Sequence, residues 1–212
     1  MMSRRVALWT ILGMSIGLLS FNAWAVADSP MDMIRVTVEQ TRTVLEDPAY
    51  QGSDHRQQRL GKVKEIVLPR FDAQEIAKRT LGPYWKDRTE EQRKEFTQLF
   101  TALVEKAYSS SLDRYSRDVQ FFFDQERVED NFAEVDTRVF DPALNKTFSV
   151  NYHLRQVNGQ WLIYDVVVEN VSLVNNYRNQ FNRILSKSSY EDLVQKLQTK
   201  LQQLDTASPS ES

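Results

Sequence analysis

Cysteine is absent from the chain, histidine occurs only at His55 and His153, and glycine occurs six times. Each shortage removes a chemistry. Without thiols there is no disulfide framework, no Cys-ligated zinc or iron–sulfur cluster and no Cys nucleophile, and two isolated histidines do not make a multi-His metal site. No glycines fall in the spacing of a phosphate-cradling loop, which argues against a nucleotide enzyme. A charge excess of one sign is also lacking. The 27 Lys and Arg face 29 Asp and Glu, a balance that favours neither nucleic acid nor an anionic membrane surface as a partner.

What is present begins with a targeting segment. Arg4 and Arg5 precede an uncharged run from Val6 to Phe21, and Ala23-Trp24-Ala25 places small residues at cleavage spacing. This reads as a secretory signal peptide over residues 1–25, because a membrane anchor needs about 20 apolar residues. The remainder reads as a single domain over residues 26–206. A tail over residues 207–212, almost devoid of apolar side chains, is expected to be disordered. An oxidising compartment permits disulfides without requiring them, so this domain relies on packing alone.

Helical periodicity comes first. Ser29-Pro30 is an N-cap and first-position pair for a helix ending near Pro48, a second helix is expected from Asp54 to Val67, and a third from Ala73 to Leu81 stops at Gly82-Pro83. Thr89-Glu90-Glu91-Gln92 is a capping box that opens the strongest helix, whose apolar face from Phe96 through Phe100, Leu103, Tyr108 and Leu112 to Tyr115 is rich in aromatics.

The period then changes to two. Four strands are expected around Val119–Phe123, Ala133–Val139, Phe148–Leu154 and Trp161–Val168, with Asn158-Gly159 as the clearest hairpin turn. The last strand is apolar on both faces and is expected to be central. Strict alternation puts Asp165 on the Trp161 and Ile163 side and leaves Asp124, Glu126, Glu129 and Asp130 in an exposed hairpin turn. Two helices, Leu173–Ser186 and Glu191–Leu204, close the chain. The fold class is therefore α+β, a curved antiparallel sheet of about four strands packed against several helices.

Few residues suggest chemistry. Neither histidine sits in an evident catalytic grouping, and no Gly-x-Ser-x-Gly elbow is present. Asp165, inside an apolar strand, needs a partner if buried. It reads either as a general base or as a structural carboxylate paired with an Arg or a helix N-terminus.

Longer stretches resemble a known family. Leu81-Gly82-Pro83-Tyr84-Trp85, Glu91-Gln92-Arg93 with Phe96 and Phe100, Tyr108, the run Trp161-Leu162-Ile163-Tyr164-Asp165-Val166, and Val171-Ser172-Leu173-Val174-Asn175-Asn176-Tyr177 through Phe181 are similar to the MlaC family, also known through toluene tolerance. The likeness runs from about Pro69 to Leu201. It departs at Asn170, where the family usually has Gly, and at Lys187-Ser188-Ser189, which lacks the usual Gly pair.

The resemblance implies a monomeric periplasmic carrier without catalysis or cofactor. Its cargo would be one phospholipid, moved between an outer-membrane lipoprotein–porin complex and an inner-membrane ABC transporter to maintain outer-membrane lipid asymmetry. The acyl chains would lie in a cavity between sheet and helices. The expected lining is Phe100, Leu103, Tyr108, Val150, Tyr152, Val166, Val168 and Phe181. Release would need helices to move against the sheet, with the Gly82–Arg88 loop or the link after Ser186 as candidate hinges. A small-substrate enzyme and a non-lipid periplasmic adaptor are the competing readings.

Overall fold

The Ser29 hydroxyl accepts a hydrogen bond from the Asp32 amide, and Pro30 occupies the first helical position, where its missing N–H forfeits no intrahelical bond. This start opens α1 (Pro30–Glu46) in the computed structural model, which describes residues 29–113 and 119–207, the side chains of 109–113 and 207 excepted. The expected signal peptide, Leu112 and Tyr115 on the aromatic helix face, and the tail beyond Ala207 lie outside what is described. Among the described residues, no helix is long and apolar enough to cross a membrane.

After α1 come α2 (Arg56–Val67), α3 (Ala73–Leu81) and α4 (Glu90–Asp113). The capping box forms as the sequence dictates. The Gln92 amide donates to the Thr89 hydroxyl, and the Thr89 amide donates to the Gln92 side chain. Gly82 ends α3 at φ 57°, a left-handed conformation that favours glycine.

Four long strands follow, β1 (Gln120–Glu129), β2 (Phe132–Asp141), β3 (Lys146–Val157) and β4 (Gln160–Val168), with a two-residue β5 (Val171–Ser172). They form one antiparallel sheet in sequential order, β1-β2-β3-β4-β5. The hairpin residues Asn158 and Gly159 take φ of 50° and 81°, and Asn170 takes 65°, so the departure from glycine there leaves the left-handed conformation in place. Two helices, α5 (Leu173–Leu185) and α6 (Tyr190–Ala207), complete the chain.

Three sequence expectations are corrected. Asp124, Glu126 and Glu129 belong to β1, which continues past a bulge whose extra residue is Asp124. Charges on this edge strand discourage pairing with another chain, and three of them have partners: Asp124 grips Arg138, Glu126 accepts from the Met31 amide at 2.6 Å, and Arg127 meets Asp136 at 2.8 Å.

A second bulge in β4 shifts the alternation. Ile163 pairs with Leu154 while Asp165 pairs with His153, so Tyr164 is the extra residue and Val166 and Val168 share a face with Trp161 and Ile163. Asp165 therefore points the other way. Finally, β4 lies next to the short β5 and is not central. Its apolar character has another cause, because α3 and α5 pack on it and Phe71 bridges to Ile163 at its edge.

Buried apolar side chains form two groups. Phe96, Phe100, Leu103, Phe181, Leu193 and Leu197 pack among α3 to α6, while Met33 and Ile34 of α1 pack against Ala133, Val135, Leu154 and Ile163 of the sheet.

Candidate functional site

Between those groups lies a cavity of about 1770 Å³. One wall is α2, through Leu60, Gly61, Val63, Lys64 and Val67. Opposite stands the second half of α4, through Phe100, Thr101, Val104, Glu105 and Tyr108. The floor is formed by Phe71, Ala73 and Ile76 with the end of β4 and β5, through Val166, Val168 and Val171. The interior is thus largely hydrocarbon. Two ion pairs lie on its border, Lys64 with Glu105 at 2.8 Å and Lys106 with Asp205, and Asp54, Arg56 and Asp165 border it as well.

Of the expected lining, Phe100, Tyr108, Val166 and Val168 border the cavity. Leu103, Val150, Tyr152 and Phe181 do not. Leu103 and Phe181 are buried in the helical core, where the Phe181 ring meets Phe96 and Phe100 edge-on at 5.7 and 5.5 Å between centroids. The α4 face thus serves mainly as solid core. Val150 sits one strand further in, between Thr137 and Val168, and Tyr152 packs with the sheet group around Met33 and Ile34.

Burial pushes the Tyr152 phenol up to about 12, partly opposed by a hydrogen bond with Thr137. Tyr190, in the helical core, rises to about 12 chiefly through burial and then through the Glu95 charge. A raised phenol pKa means that the unfolded chain loses the proton first, starting near its ordinary value of 10.0. Stability is therefore expected to fall as pH climbs from about 10 to 12. In urea titrations the fall is expected to be shallower for Tyr152→Phe than for the natural chain, by up to about 2 kcal/mol at the alkaline end.

Asp165 takes the structural alternative. Its carboxylate accepts from the Ser172 hydroxyl and from the Val174 amide at 3.0 Å, and the Ser172 oxygen in turn accepts from the Asn175 amide. These bonds satisfy the N-terminus of α5. His153 lies 3.9 Å from Asp165 and 3.8 Å from Glu134. Among the described residues, no cluster of three or more His, Asp or Glu forms a metal site.

Residues 35–199 match the family model described as MlaC protein, most of the chain. The chain belongs to the MlaC family. A similar relative is the intermembrane phospholipid transport system binding protein MlaC of Haemophilus influenzae, 27% identical over 139 residues, which are 64% of this chain and 65% of that protein. The match therefore spans just under two thirds of that relative's length. Among solved structures, a phospholipid-binding protein from Ralstonia solanacearum, in complex with a phospholipid, is similar in fold. It is 23% identical with a TM-score of 0.74, over 84% of this chain and 99% of that one.

In this MlaC family member, sequence reasoning missed the α2 wall entirely. A signal was present, since α2 carries Gly61 in its interior and few apolar residues, and only Val63 is buried. A helix with so little to bury is better suited to facing a void than to filling a core.

Proposed function

We propose that the protein binds one phospholipid, with its acyl chains in the cavity between α2, α4 and the end of β4, and carries it as cargo across the periplasm. The carrying observation is the size of the apolar cavity in a chain of this family. Two acyl chains hold about 30 methylenes, and at about 30 Å³ for each small group they need about 900 Å³. The 1770 Å³ present leaves room for the glycerol backbone as well. At about 0.8 kcal/mol per methylene, burial of the tails would gain on the order of 24 kcal/mol gross, so hydrocarbon dominates retention and the headgroup can stay in water.

Support comes from the phospholipid in the name of the Haemophilus influenzae relative and in the complex of the Ralstonia solanacearum protein. On this reading the lipid is exchanged with an outer-membrane lipoprotein–porin complex at one end and an inner-membrane ABC transporter at the other, which maintains outer-membrane lipid asymmetry. Residues 1–25 direct export, and the chain makes and breaks no covalent bond.

Solvent extraction of the natively purified protein, followed by mass spectrometry, tests the proposal. The expected yield is about one phospholipid per chain, in keeping with the cavity volume. A protein purified from lipid-containing cells that yields none is not a carrier.

A further inference from the structure

Cargo held by two acyl chains has to leave through a wall, and the walls differ in how firmly they are held. On the α4 side, Phe96, Phe100 and Leu103 are fixed in the helical core. The floor is also fixed. The Asp72 amide donates to the Ile163 carbonyl at 2.8 Å, and the Asp72 carboxylate accepts from Arg155 at 2.6 Å. Neither expected hinge is loose. Trp85 is buried, with its carbonyl held by Arg93, and Arg178 donates to the Arg79 carbonyl beside Gly82. The link after Ser186 is bonded back to the Ile184 carbonyl by the Lys187 and Ser188 amides.

The α2 wall contrasts with these. It packs chiefly on α1, buries only Val63, and meets α4 across the cavity through the Lys64–Glu105 ion pair at 2.8 Å. Gly61 weakens its middle, and a Cβ there would meet nothing within 4 Å. Its two ends are turns: one contains Gly52 at φ 88°, where Arg59 of α2 donates to the Tyr50 carbonyl at 2.7 Å, and the other is the single 3₁₀ turn Leu68–Arg70 around Pro69.

Among the described residues, three buried polar atoms lack a hydrogen-bond partner: Thr41 Oγ1 on α1 at the cavity border, Arg70 Nε in the turn after α2, and Arg88 Nε in the loop after α3.

We propose that α2 is the door of the cavity, swinging between the Gly52 and Pro69 turns, and that the Lys64–Glu105 pair is its latch. The door rests on the phospholipid reading for its purpose, but its motion is a property of the chain. A latch made from one solvent-facing ion pair is weak enough to be broken by contact with another protein and strong enough to bias the closed state.

The absence of native cysteine makes the test clean. A Lys64→Cys/Glu105→Cys variant, purified with its lipid and joined by a short, reductant-cleavable bis-thiol linker, is expected to pass labelled phospholipid to vesicles at least about tenfold more slowly than before linking. Reductant is expected to restore the rate.

Glu105→Gln, which removes one charge without changing shape, is expected to speed passage about two- to fivefold, with α2 amides exchanging hydrogen faster by the same factor. The charge-swapped Lys64→Glu/Glu105→Lys protein is expected to return both rates toward the natural values. If lipid co-purifies but neither linking nor Glu105→Gln changes its passage, the door is overturned and the carrier stands. If no lipid co-purifies, the carrier reading fails. Hydrogen exchange then decides the door alone, and α2 amides as slow in Glu105→Gln as in the natural chain overturn it.

Discussion

A Leu60→Asp variant is expected to bind phospholipid about 100-fold more weakly than the natural chain, while unfolding at nearly the same urea concentration. Leu60 borders the cavity from α2 and belongs to neither group of core side chains. An empty cavity admits water, so an aspartate there stays hydrated and the apo protein loses little. Acyl chains displace that water and leave an ionised carboxylate against hydrocarbon, at a cost of several kcal/mol. A loss of about 2.7 kcal/mol already corresponds to 100-fold. Aspartate is too short to bring its charge back out to water as lysine would.

Leu60→Asn, polar without charge, is expected to fall between the two proteins. Acidification has a definite sign. As pH drops through the ordinary aspartate range near 4, the introduced carboxyl becomes neutral and binding by the Asp variant is expected to recover toward that of the Asn variant. A vesicle-exchange assay at several pH values reads all three. Unchanged binding by Leu60→Asp would place the acyl chains elsewhere.

Asp165→Ala is expected to lower unfolding free energy by about 3 kcal/mol. The carboxylate is 7% exposed, and its removal leaves the Val174 amide and the Ser172 hydroxyl without their acceptor at the start of α5. Buried donors left unsatisfied are penalised by about 1–3 kcal/mol each, and the dipole at the helix N-terminus loses its compensating charge. Asp165→Asn keeps the shape and one acceptor, so about half that loss is expected. Denaturant melts separate the three proteins. Phospholipid is expected to co-purify with the Asn variant at the natural ratio, because the side chain is engaged with α5. Its disappearance from a folded Asn variant would make Asp165 a cargo contact.

The legible parts of the sequence were those governed by local rules. The Ala73–Leu81 helix, the Thr89–Gln92 box and the Asn158-Gly159 hairpin follow from capping, backbone and turn chemistry that act over a few residues. The phase of β4 was not legible, because one extra residue at Tyr164 reverses the facing of everything after it, and alternation has no means of marking a bulge between two apolar faces. The site was legible only in part for a related reason. Apolar spacing identifies which residues turn inward, as for Phe100 and Phe181, but packing decides whether the space beyond is filled, and it separates Phe100 at the cavity border from Phe181 in the core. The α2 wall was hidden because a helix beside a void leaves little amphipathic trace.

Both groups of buried side chains reach the cavity, the helical group through Phe100, Ile76 and Val104 and the sheet group through Phe71 and Val166. Acyl chains lying between them would therefore act as a removable keystone. Each half keeps its own apolar interior when the cargo leaves, which lets the protein be emptied without melting. The Asp72–Arg155 and Asp165–α5 bonds join the halves in either state, so cargo in place is expected to raise a single calorimetric transition and stripping the lipid to lower it.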